Sequence, residues 1–313
     1  MILVPTLIVD TASLYFRAYF GVPTSLQDPR GRPVNAVYGL LDMLARLIVQ
    51  YNPGGLVCAW DDDWRPRWRV DLVASYKAHR VASSPSGPQT EIVDDALAVQ
   101  VPWIRACLEA TGLRVVGAPG FEADDVLGTL SRRWGPQGRP VIVVTGDRDL
   151  FQLVGDHVRV AYAGRGVAHN ELVDDSWLLA KYGVLGRQYA DFATLRGDPS
   201  DGLPGVTGIG EKTAAGLLAA YGDLDGILAA ALNPSSAMTA SVRKRLTASV
   251  DYLQAARPVV ATAEVPLPDL DPGIGQGRAD LARCSRLAAE YGVRGPMGRL
   301  LAALGEPELP RPD

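Results

Sequence analysis

Three short apolar runs, each followed by an aspartate, place the strongest constraint on how this chain can fold. The runs are residues 7–9, 56–60 and 141–144, and the aspartates after them are Asp10, Asp61 and Asp147. Such runs, bounded by turn residues, are typical of buried strands. A further strand is predicted at 158–162, and helical patterns cover 36–50, 94–111, 123–134 and 150–154. Strands alternating with helices predict an α/β fold with a parallel sheet.

The carboxyl ends of parallel strands meet along one edge of a sheet, where open α/β proteins form their sites. Asp10, Asp61 and Asp147 are therefore expected to converge on one crevice. Each aspartate alone is equally compatible with a simple turn that ends a strand. The three together favour a common site.

Further carboxylates stand at predicted loops and helix starts. In the stretch PGFEADDVLGTL, three acids open a helical pattern. Acids also favour the first turn of a helix because of its dipole, which is the alternative explanation for these three. Asp62 and Asp63 show that spare acids occur in this chain as well. The candidate acids are Asp10, Asp61, Glu122, Asp124, Asp125, Asp147, Asp149, Asp198 and Asp201.

Clustered carboxylates repel one another, and a hard divalent cation with oxygen ligands relieves that repulsion. The three histidines and three cysteines are widely spaced. A site built from carboxylates without these residues favours Mg²⁺ or Mn²⁺ over Zn²⁺. Two such ions about 4 Å apart can support hydrolysis of a phosphodiester. The acids therefore predict a centre for two metal ions.

Composition narrows the class of protein. A hydrophobic content of 47% supports a real core, and a net charge of −4 gives no overall basicity. The cysteines form no closely spaced pair, which indicates a reducing, cytosolic setting. The sequence contains no apolar run of about 18 residues, so no membrane span is predicted.

A glycine-rich turn, LPGVTGIGEKTAA, occupies residues 203–215. Its glycines let backbone groups approach a phosphate closely at the start of a helix, where anions are favoured. The pattern predicts the hairpin of a helix–hairpin–helix unit, which binds the DNA backbone without reading sequence. The alternative is an ordinary glycine-rich connection between helices. The candidate DNA-binding residues here are Gly205, Gly208, Gly210, Lys212 and Thr213.

A basic segment covers residues 64–89 and ends in the turn-rich stretch SSPSGPQ. It is predicted to be a partly helical, mobile excursion from the sheet. Lys77 and Arg80 are three residues apart, so on a helix they would share one face and could meet phosphates. A solvated charged face is the alternative. Arg17, shortly after the first aspartate, could lie at the site or on the surface.

Together these stretches resemble the bacterial 5′ nucleases of the flap endonuclease superfamily. The chain is similar to the 5′–3′ exonuclease domain that bacteria fuse to DNA polymerase I, but here the domain is expected to stand alone. Gly202 stands where this family usually has Asn, and Trp60 where Phe is common. The matching blocks, in family order from residue 7 to about 222, are LIVDTASLYFRAYF, NAVYGLLDML, WDDDWRPRWR through YKAHR, GFEADDVLGTL, VTGDRDLFQLV and LRGDPSDGLPGVTGIGEKTA.

The resemblance implies the fold and a role for each candidate residue. The fold would be a PIN-like parallel sheet flanked by helices, with a helical arch and a helix–hairpin–helix (H3TH) region. One metal would be held by Asp10, Asp61, Glu122 and Asp124, and the second by Asp147, Asp149 and Asp201. Asp125 and Asp198 would support the second metal. Lys77 and Arg80 would contact the scissile phosphate from the arch, Arg17 would lie near the metals, and the hairpin would hold K⁺.

The resemblance also implies a PIN-like core at 1–175 with the arch at about 62–95, an H3TH region at 176–260, and a C-terminal helical segment at 261–313. Residues 305–313 are expected to fray. The implied activity is flap endonuclease and 5′–3′ exonuclease on DNA with 5′ flaps, overhangs or nicks, including RNA-primed ends. It would act in replication and repair beside a polymerase and a ligase, as a cytoplasmic, nucleoid-associated bacterial monomer.

Two alternatives belong to other classes of protein. A flap- or junction-binding protein without turnover would not need Asp147, Asp149 and Asp201. A small-molecule phosphatase or sugar transferase could use the Asp147-Arg148-Asp149 sequence, but it would leave the glycine hairpin unexplained.

Overall fold

A computed structural model describes residues 4–81, 91–271, 273 and 277–310. Its centre is one six-stranded sheet with the strand order β3-β2-β1-β4-β5-β6. The strands are β1 (Thr6–Asp10), β2 (Gly55–Ala59), β3 (Arg114–Val116), β4 (Val141–Thr145), β5 (Val158–Tyr162) and β6 (Glu171–Val173). The predicted parallel sheet is confirmed for β1 to β5. The antiparallel edge strand β6 and the short strand β3 were not predicted.

Every residue of β1, β2 and β4 is buried, as expected for parallel strands covered on both faces. Side chains alternate between two cores. Ile8 and Val143 face one core together with α5, whereas Leu7 and Val144 face the other together with α2. The three aspartate-tipped strands are thereby held between helices, with their carboxyl ends at one edge.

Thirteen α-helices surround the sheet in the described part of the chain. The long helical patterns are confirmed, while residues 149–153 form a 3-10 turn where a helix was predicted. The helices are α1 (Thr11–Gly21), α2 (Asn35–Tyr51), α3 (Arg67–Leu72), α4 (Asp95–Ala110), α5 (Ala123–Trp134), α6 (Asp175–Tyr182), α7 (Gly186–Arg196), α8 (Glu211–Tyr221), α9 (Leu224–Leu232), α10 (Ala240–Ala248), α11 (Val250–Val260), α12 (Leu281–Glu290) and α13 (Arg294–Ala303).

The basic segment differs from the excursion predicted for it. Its described part holds α3 and a 3-10 turn at Ala78–Arg80, and it packs down on the body of the protein. Arg69, Tyr76 and Lys77 are buried. Lys77 has a φ of 47°, so the backbone turns there and no single helix carries Lys77 and Arg80. The stretch SSPSGPQ lies outside the described residues.

The C-terminal helices lie on the other core, with α13 against α2 and α12 against α4. The structure differs from the expected frayed tail for residues 305–310, because Ser285 and Arg294 donate hydrogen bonds to the carbonyl of Pro310. Residues 311–313 lie outside the described part. The domain boundaries stay predictions.

No single helix in the described ranges is long and apolar enough to cross a membrane. The pair α8 and α9, bent by 84°, passes such a test by length and composition only.

Candidate active site

The strand ends meet as predicted, and hydrogen bonds hold them in place. Asp10 ends β1 and accepts from the backbone N–H of Ser13 at 3.0 Å, which caps α1. The hydroxyl of Thr145, at the end of β4, donates to Asp10 Oδ2 at 2.7 Å. Asp61, after β2, accepts from the backbone N–H of Ala123 at 2.7 Å. The adjacent strands β2, β1 and β4 and the start of α5 are thus joined at one point.

The acids at the start of α5 have different surroundings. Glu122 is the N-cap residue and forms a capping box with Asp125, so the helix-dipole explanation is partly right. Glu122 also receives a hydrogen bond from the Tyr76 hydroxyl at 2.7 Å and pairs with Lys77. Asp124 points into the cleft described below.

Asp125 was predicted to support the second metal, but its contacts in the structure are of another kind. Arg69 binds both of its carboxylate oxygens, at 2.7 and 2.8 Å, and the N–H of Ala263 donates to Oδ1 at 2.7 Å. Asp125 is fully buried and lines no part of the cleft. Its charge is neutralised by Arg69, so the geometry makes it an anchor for α5.

A second acidic group lies beside the first. Asp147 follows β4 and accepts from the N–H of Asp149 at 2.9 Å. Asp198 and Asp201 bracket the 3-10 turn Pro199–Asp201, which follows α7. Asp198 accepts from the N–H of Ser200 at 2.8 Å. Burial, and then the charges of Asp147, Asp198 and Asp201, raise the pKa of Asp149 well above its usual value, so these four acids lie near one another, as predicted from the sequence.

Burial, together with repulsion between neighbouring acids, raises the pKa values of several of these carboxyl groups. Burial raises the pKa of Asp10 to about 7, and the charges of Asp61 and Asp147 act in the same direction. Burial also raises the pKa of Asp61 to about 6, with Glu122 adding to the effect. The pKa of Asp124 is raised well above its usual value by burial and then by Asp10 and Asp147. Such an excess of negative charge is what a bound cation would relieve.

Basic side chains of the described part of the basic segment, residues 64–81, reach both acidic groups. This part is called the arch segment below. Arg80 donates to Asp201 Oδ1 at 2.8 Å and to the carbonyl of Ser200 at 2.7 Å. Burial opposes the charge of Lys77, but Glu122 and further acids keep its pKa well above the usual value. Arg17 lines the cleft and donates to the carbonyl of Gly164 at 3.2 Å. The structure thus brings all three predicted cations to the site.

One continuous cleft of about 2250 Å³ runs past these groups. Asp149 and Asp201 line a small pocket next to it, and Asp124 lines both. The predicted acids that line the cleft itself are Asp10, Asp61, Glu122, Asp124, Asp147 and Asp198.

Sequence reasoning missed several residues that organise the site. Tyr76 and Thr145 donate to the acids, and Arg69 binds Asp125. The Tyr-Lys pair at 76–77 was a usable signal, since a buried tyrosine hydroxyl needs a partner. Thr145 carried no signal beyond its place at a strand end.

The surroundings of Gly202 explain why this chain has Gly where the resembling family usually has Asn. It has a φ of +73°, and a Cβ added there would lie 2.1 Å from the carbonyl oxygen of Ser75. The acidic turn and the arch segment therefore approach so closely that a side chain has no room.

The glycine hairpin has the geometry predicted for a surface that meets a backbone. Val206 and Ile209 point into the core, whereas Gly208, Gly210 and Lys212 are exposed. Gly205 and Gly208 have φ values of +67° and +77°. Gly210 caps α8. Exposed N–H groups at a helix start, with Lys212 and Thr213 in the first turn, form a site that suits an anion.

The carboxylates of the two acidic groups are the candidate ligands for a divalent metal. No group of three or more Asp, Glu, His or Cys side chains in the described ranges is arranged so that it could hold a metal ion. Glu122 and Asp201 face Lys77 and Arg80 instead. The donors are nevertheless all carboxylate oxygens, the set that Mg²⁺ and Mn²⁺ prefer. Asp149 Oδ1 is buried with no hydrogen-bond partner in the described part of the chain, as a ligand oxygen would be. The donor chemistry therefore fits.

The fold and the site define a class: an α/β domain with carboxylates at its strand ends, joined to a helical unit that carries a glycine hairpin. Residues 5–183 match the family described as 5′–3′ exonuclease, N-terminal resolvase-like domain, and residues 184–271 match its C-terminal SAM fold. The chain belongs to the 5′–3′ exonuclease family.

Curated relatives agree along nearly the whole chain. A 5′–3′ exonuclease of Streptomyces coelicolor is 55% identical over 95% of this chain and 99% of its own length. One of Mycobacterium tuberculosis is 48% identical over 96% and 98%. DNA polymerase I of the same species is 43% identical over 70% of this chain but only 23% of its own length.

Solved structures share the fold. The T5 D15 protein co-crystallised with metal ions has a TM-score of 0.62 at 16% identity, covering 95% of this chain and 97% of its own. Human GEN1 in complex with Holliday junction DNA has a TM-score of 0.62 at 17% identity, covering 96% and 71%. The PIN-like fold with its added helical region is therefore confirmed.

Proposed function

We propose that this protein is a structure-specific 5′ nuclease that cleaves phosphodiesters of DNA at 5′ flaps and trims 5′ ends. The observation that carries the proposal is the joining of two acidic groups with Lys77 and Arg80 in one open cleft. A protein that only binds DNA has no use for so many buried, mutually repelling carboxylates.

Mg²⁺ or Mn²⁺ would be held in two groups of ligands. Asp10, Asp61, Glu122 and Asp124 form the first group, and Asp147, Asp149, Asp198 and Asp201 the second. When bound, the ions would activate water and stabilise the charge of the reacting phosphate. Glu122 and Asp201 would exchange their contacts with Lys77 and Arg80 for the ions.

Lys77 and Arg80 are the side chains best placed to meet the scissile phosphate. Both line the cleft beside the acids. The attraction between each positive charge and a phosphate becomes stronger as water is excluded. Arg17 also lines the cleft, with its guanidinium next to Gly146 just after β4. These three residues would orient the phosphate and stabilise its transition state.

The hairpin would grip the duplex away from the site of cleavage. Its exposed backbone N–H groups and Lys212 would bind phosphates, which carries affinity without sequence preference. Binding of K⁺ by hairpin carbonyls belongs to the same proposal. The carbonyl of Gly208 already accepts from Arg245 at 2.8 Å, so it would not be one of the K⁺ ligands.

The partners follow from this activity. The substrates would be 5′ flaps, overhangs and nicks, including RNA-primed ends, and the protein would act as a monomer in the bacterial cytoplasm. Cleavage would leave a 5′-phosphate and a 3′-hydroxyl, the ends that a ligase joins after a polymerase has filled the gap. Similarity to a part of DNA polymerase I supports that link.

The test uses a duplex with an end-labelled 5′ flap, incubated with Mn²⁺ or Mg²⁺. Matched substrates carry the same flap at the 3′ side or no flap. We expect cleavage near the flap junction in the first duplex only, slow trimming from free 5′ ends, and no cleavage with chelator. Binding of the flap without cleavage in either metal would favour the junction-binding alternative.

A further inference from the structure

Arg69 lies on α3, at the base of the arch segment, with its side chain 3% exposed. A buried guanidinium is costly unless every donor is satisfied. Arg69 makes five hydrogen bonds to two separate parts of the chain, the end of α11 and the start of α5. They go to the carbonyls of Val259 (3.0 Å) and Ala261 (3.4 Å), to both carboxylate oxygens of Asp125 (2.8 and 2.7 Å) and to Oε1 of Glu122 (3.1 Å).

The contact with Glu122 distinguishes Arg69 from a residue that only holds the fold together. The fork that binds Asp125 would by itself anchor α3 to α5. The additional bond reaches a carboxylate that lines the cleft. Glu122 Oε1 is thus held by Arg69 and Tyr76, and Oε2 faces Lys77. The side of Glu122 turned to the cleft is therefore set by Arg69 and Tyr76.

Arg69 also connects the site to the helical region. Its bonds to Val259 and Ala261 lie at the end of α11, and Asp125 binds the N–H of Ala263 just beyond. The strap at residues 262–265 continues along α5, where Thr129 bonds with Ala263 and Val265. The start of α5 is consequently clamped between the arch segment and the strap, with Arg69 at the junction.

We infer that Arg69 is a positioning residue that fixes Glu122, through the clamp on α5, in the orientation needed to bind divalent metal. The inference rests on the proposed function. Groups behind metal ligands orient them, and their loss typically weakens metal affinity about 10- to 100-fold. Lysine cannot replace the planar fork, because its ammonium is a single point with flexible reach.

The experiment compares Arg69→Lys and Arg69→Gln with Arg67→Lys and Arg67→Gln. Arg67 lies on the same helix but is exposed, and among the described residues it forms an ion pair with Asp71. Binding of Mn²⁺ is measured without DNA, from the loss of the free-ion signal in electron paramagnetic resonance. Single-turnover cleavage at saturating flap DNA and the unfolding temperature are measured on the same samples.

We expect Arg69→Lys to weaken Mn²⁺ binding about 10-fold or more, with a matching loss in the cleavage rate. The affinity of the Arg69 variants for flap DNA should stay close to that of the wild type. The Arg67 variants should stay close to the wild type in every measurement. Arg69→Gln should show a larger loss of the same kind, at the cost of a lower unfolding temperature.

Unchanged or tighter Mn²⁺ binding by a folded Arg69→Lys variant would overturn the inference, whatever its stability. Misfolding of both Arg69 variants would also overturn it, since Arg69 would then be needed for the fold itself. A wild-type protein that binds Mn²⁺ but cleaves no flap duplex would refute the proposed function alone, because the comparison of metal affinities would still stand.

Discussion

The backbone N–H of Lys77 donates a hydrogen bond to the carbonyl oxygen of Asp201 at 2.9 Å. The bond joins the arch segment to the acidic turn after α7. Lys77 adopts a left-handed conformation at this point, and its ammonium reaches back to Glu122. One residue therefore touches both acidic groups, by its backbone on one side and by its side chain on the other.

Lys77→Ala should lower the single-turnover cleavage rate about 100-fold, because a charge aimed at the reacting phosphate is lost. Affinity for Mn²⁺ should not fall, since Lys77 competes with the ion for Glu122. Lys212→Ala is the matched control, because it removes the same charge from the hairpin. It should weaken duplex binding and leave the rate at saturating DNA unchanged. Equal rates in Lys77→Ala and wild type would remove Lys77 from catalysis.

Asp124→Asn and Asp125→Asn should separate two adjacent acids. Asp124 faces the cleft. Its replacement by Asn should lower the cleavage rate at least about 100-fold, while flap binding survives. Asp125 forms an ion pair with Arg69. Its replacement by Asn should therefore chiefly lower the unfolding temperature and leave more cleavage activity than Asp124→Asn does. Single-turnover rates and thermal unfolding decide between them. The reverse order of activities would restore Asp125 as a metal ligand.

The metal-free protein should lose stability as the pH rises. Asp10 has a pKa of about 7 in the fold against an ordinary value of 3.8, so the folded state holds this proton more tightly than the unfolded chain does. Its contribution to the free energy of unfolding therefore decreases as the pH rises from 3.8 to about 7, and it is constant at higher pH. Asp61 acts in the same way up to about pH 6.

Thermal unfolding in chelator at several pH values measures this slope, and Asp10→Asn should flatten it. Mn²⁺ should reverse the trend, because it binds the ionised carboxylates and so stabilises the fold more at pH 8 than at pH 5. A slope that is identical in wild type and Asp10→Asn would contradict the assignment.

Gly210→Ala should impair DNA binding without disturbing the fold. Gly210 has an ordinary φ of −93°, and an added Cβ would meet nothing within 4 Å. On the bound duplex, the same Cβ would hold a phosphate away from the backbone N–H groups. Loss of one such charged hydrogen bond corresponds to about 10-fold weaker binding. Gly216→Ala, equally open on α8, is the control, and equal affinities for the two variants would argue against this hairpin surface.

Gly202→Asn restores the residue that is usual in the resembling family, yet it should destabilise this protein. The left-handed backbone suits Asn, but a Cβ would lie 2.1 Å from the Ser75 carbonyl oxygen. We expect a loss of about 1–3 kcal/mol in the free energy of unfolding. Gly138→Asn is matched, because Gly138 also has a φ of +73° but no neighbour within 4 Å. Urea denaturation of both variants gives the comparison, and equal stabilities would mean that the arch segment shifts freely.

Much of the fold was predictable because its signals are local. The apolar run before Asp147 is a strand in any environment that buries it, and the stripe at Val37, Leu40, Leu41 and Leu44 can only be one face of a helix. β3 and β6 escaped prediction because they have three residues each, too few for a period to appear. The turn at Lys77 escaped it because a left-handed lysine is stabilised by contacts with distant residues.

The residue types at the strand ends, the glycines that permit a tight hairpin, and hence the family of the chain can be read from the amino-acid sequence alone. The surroundings of each acid depend on the folded structure. Asp124 and Asp125 are neighbours in the sequence, but one faces the cleft and the other meets Arg69, which is 56 positions away. Arg80 finds Asp201 across 121 positions. Pairings of this kind depend on how the chain closes on itself, and no local pattern encodes them.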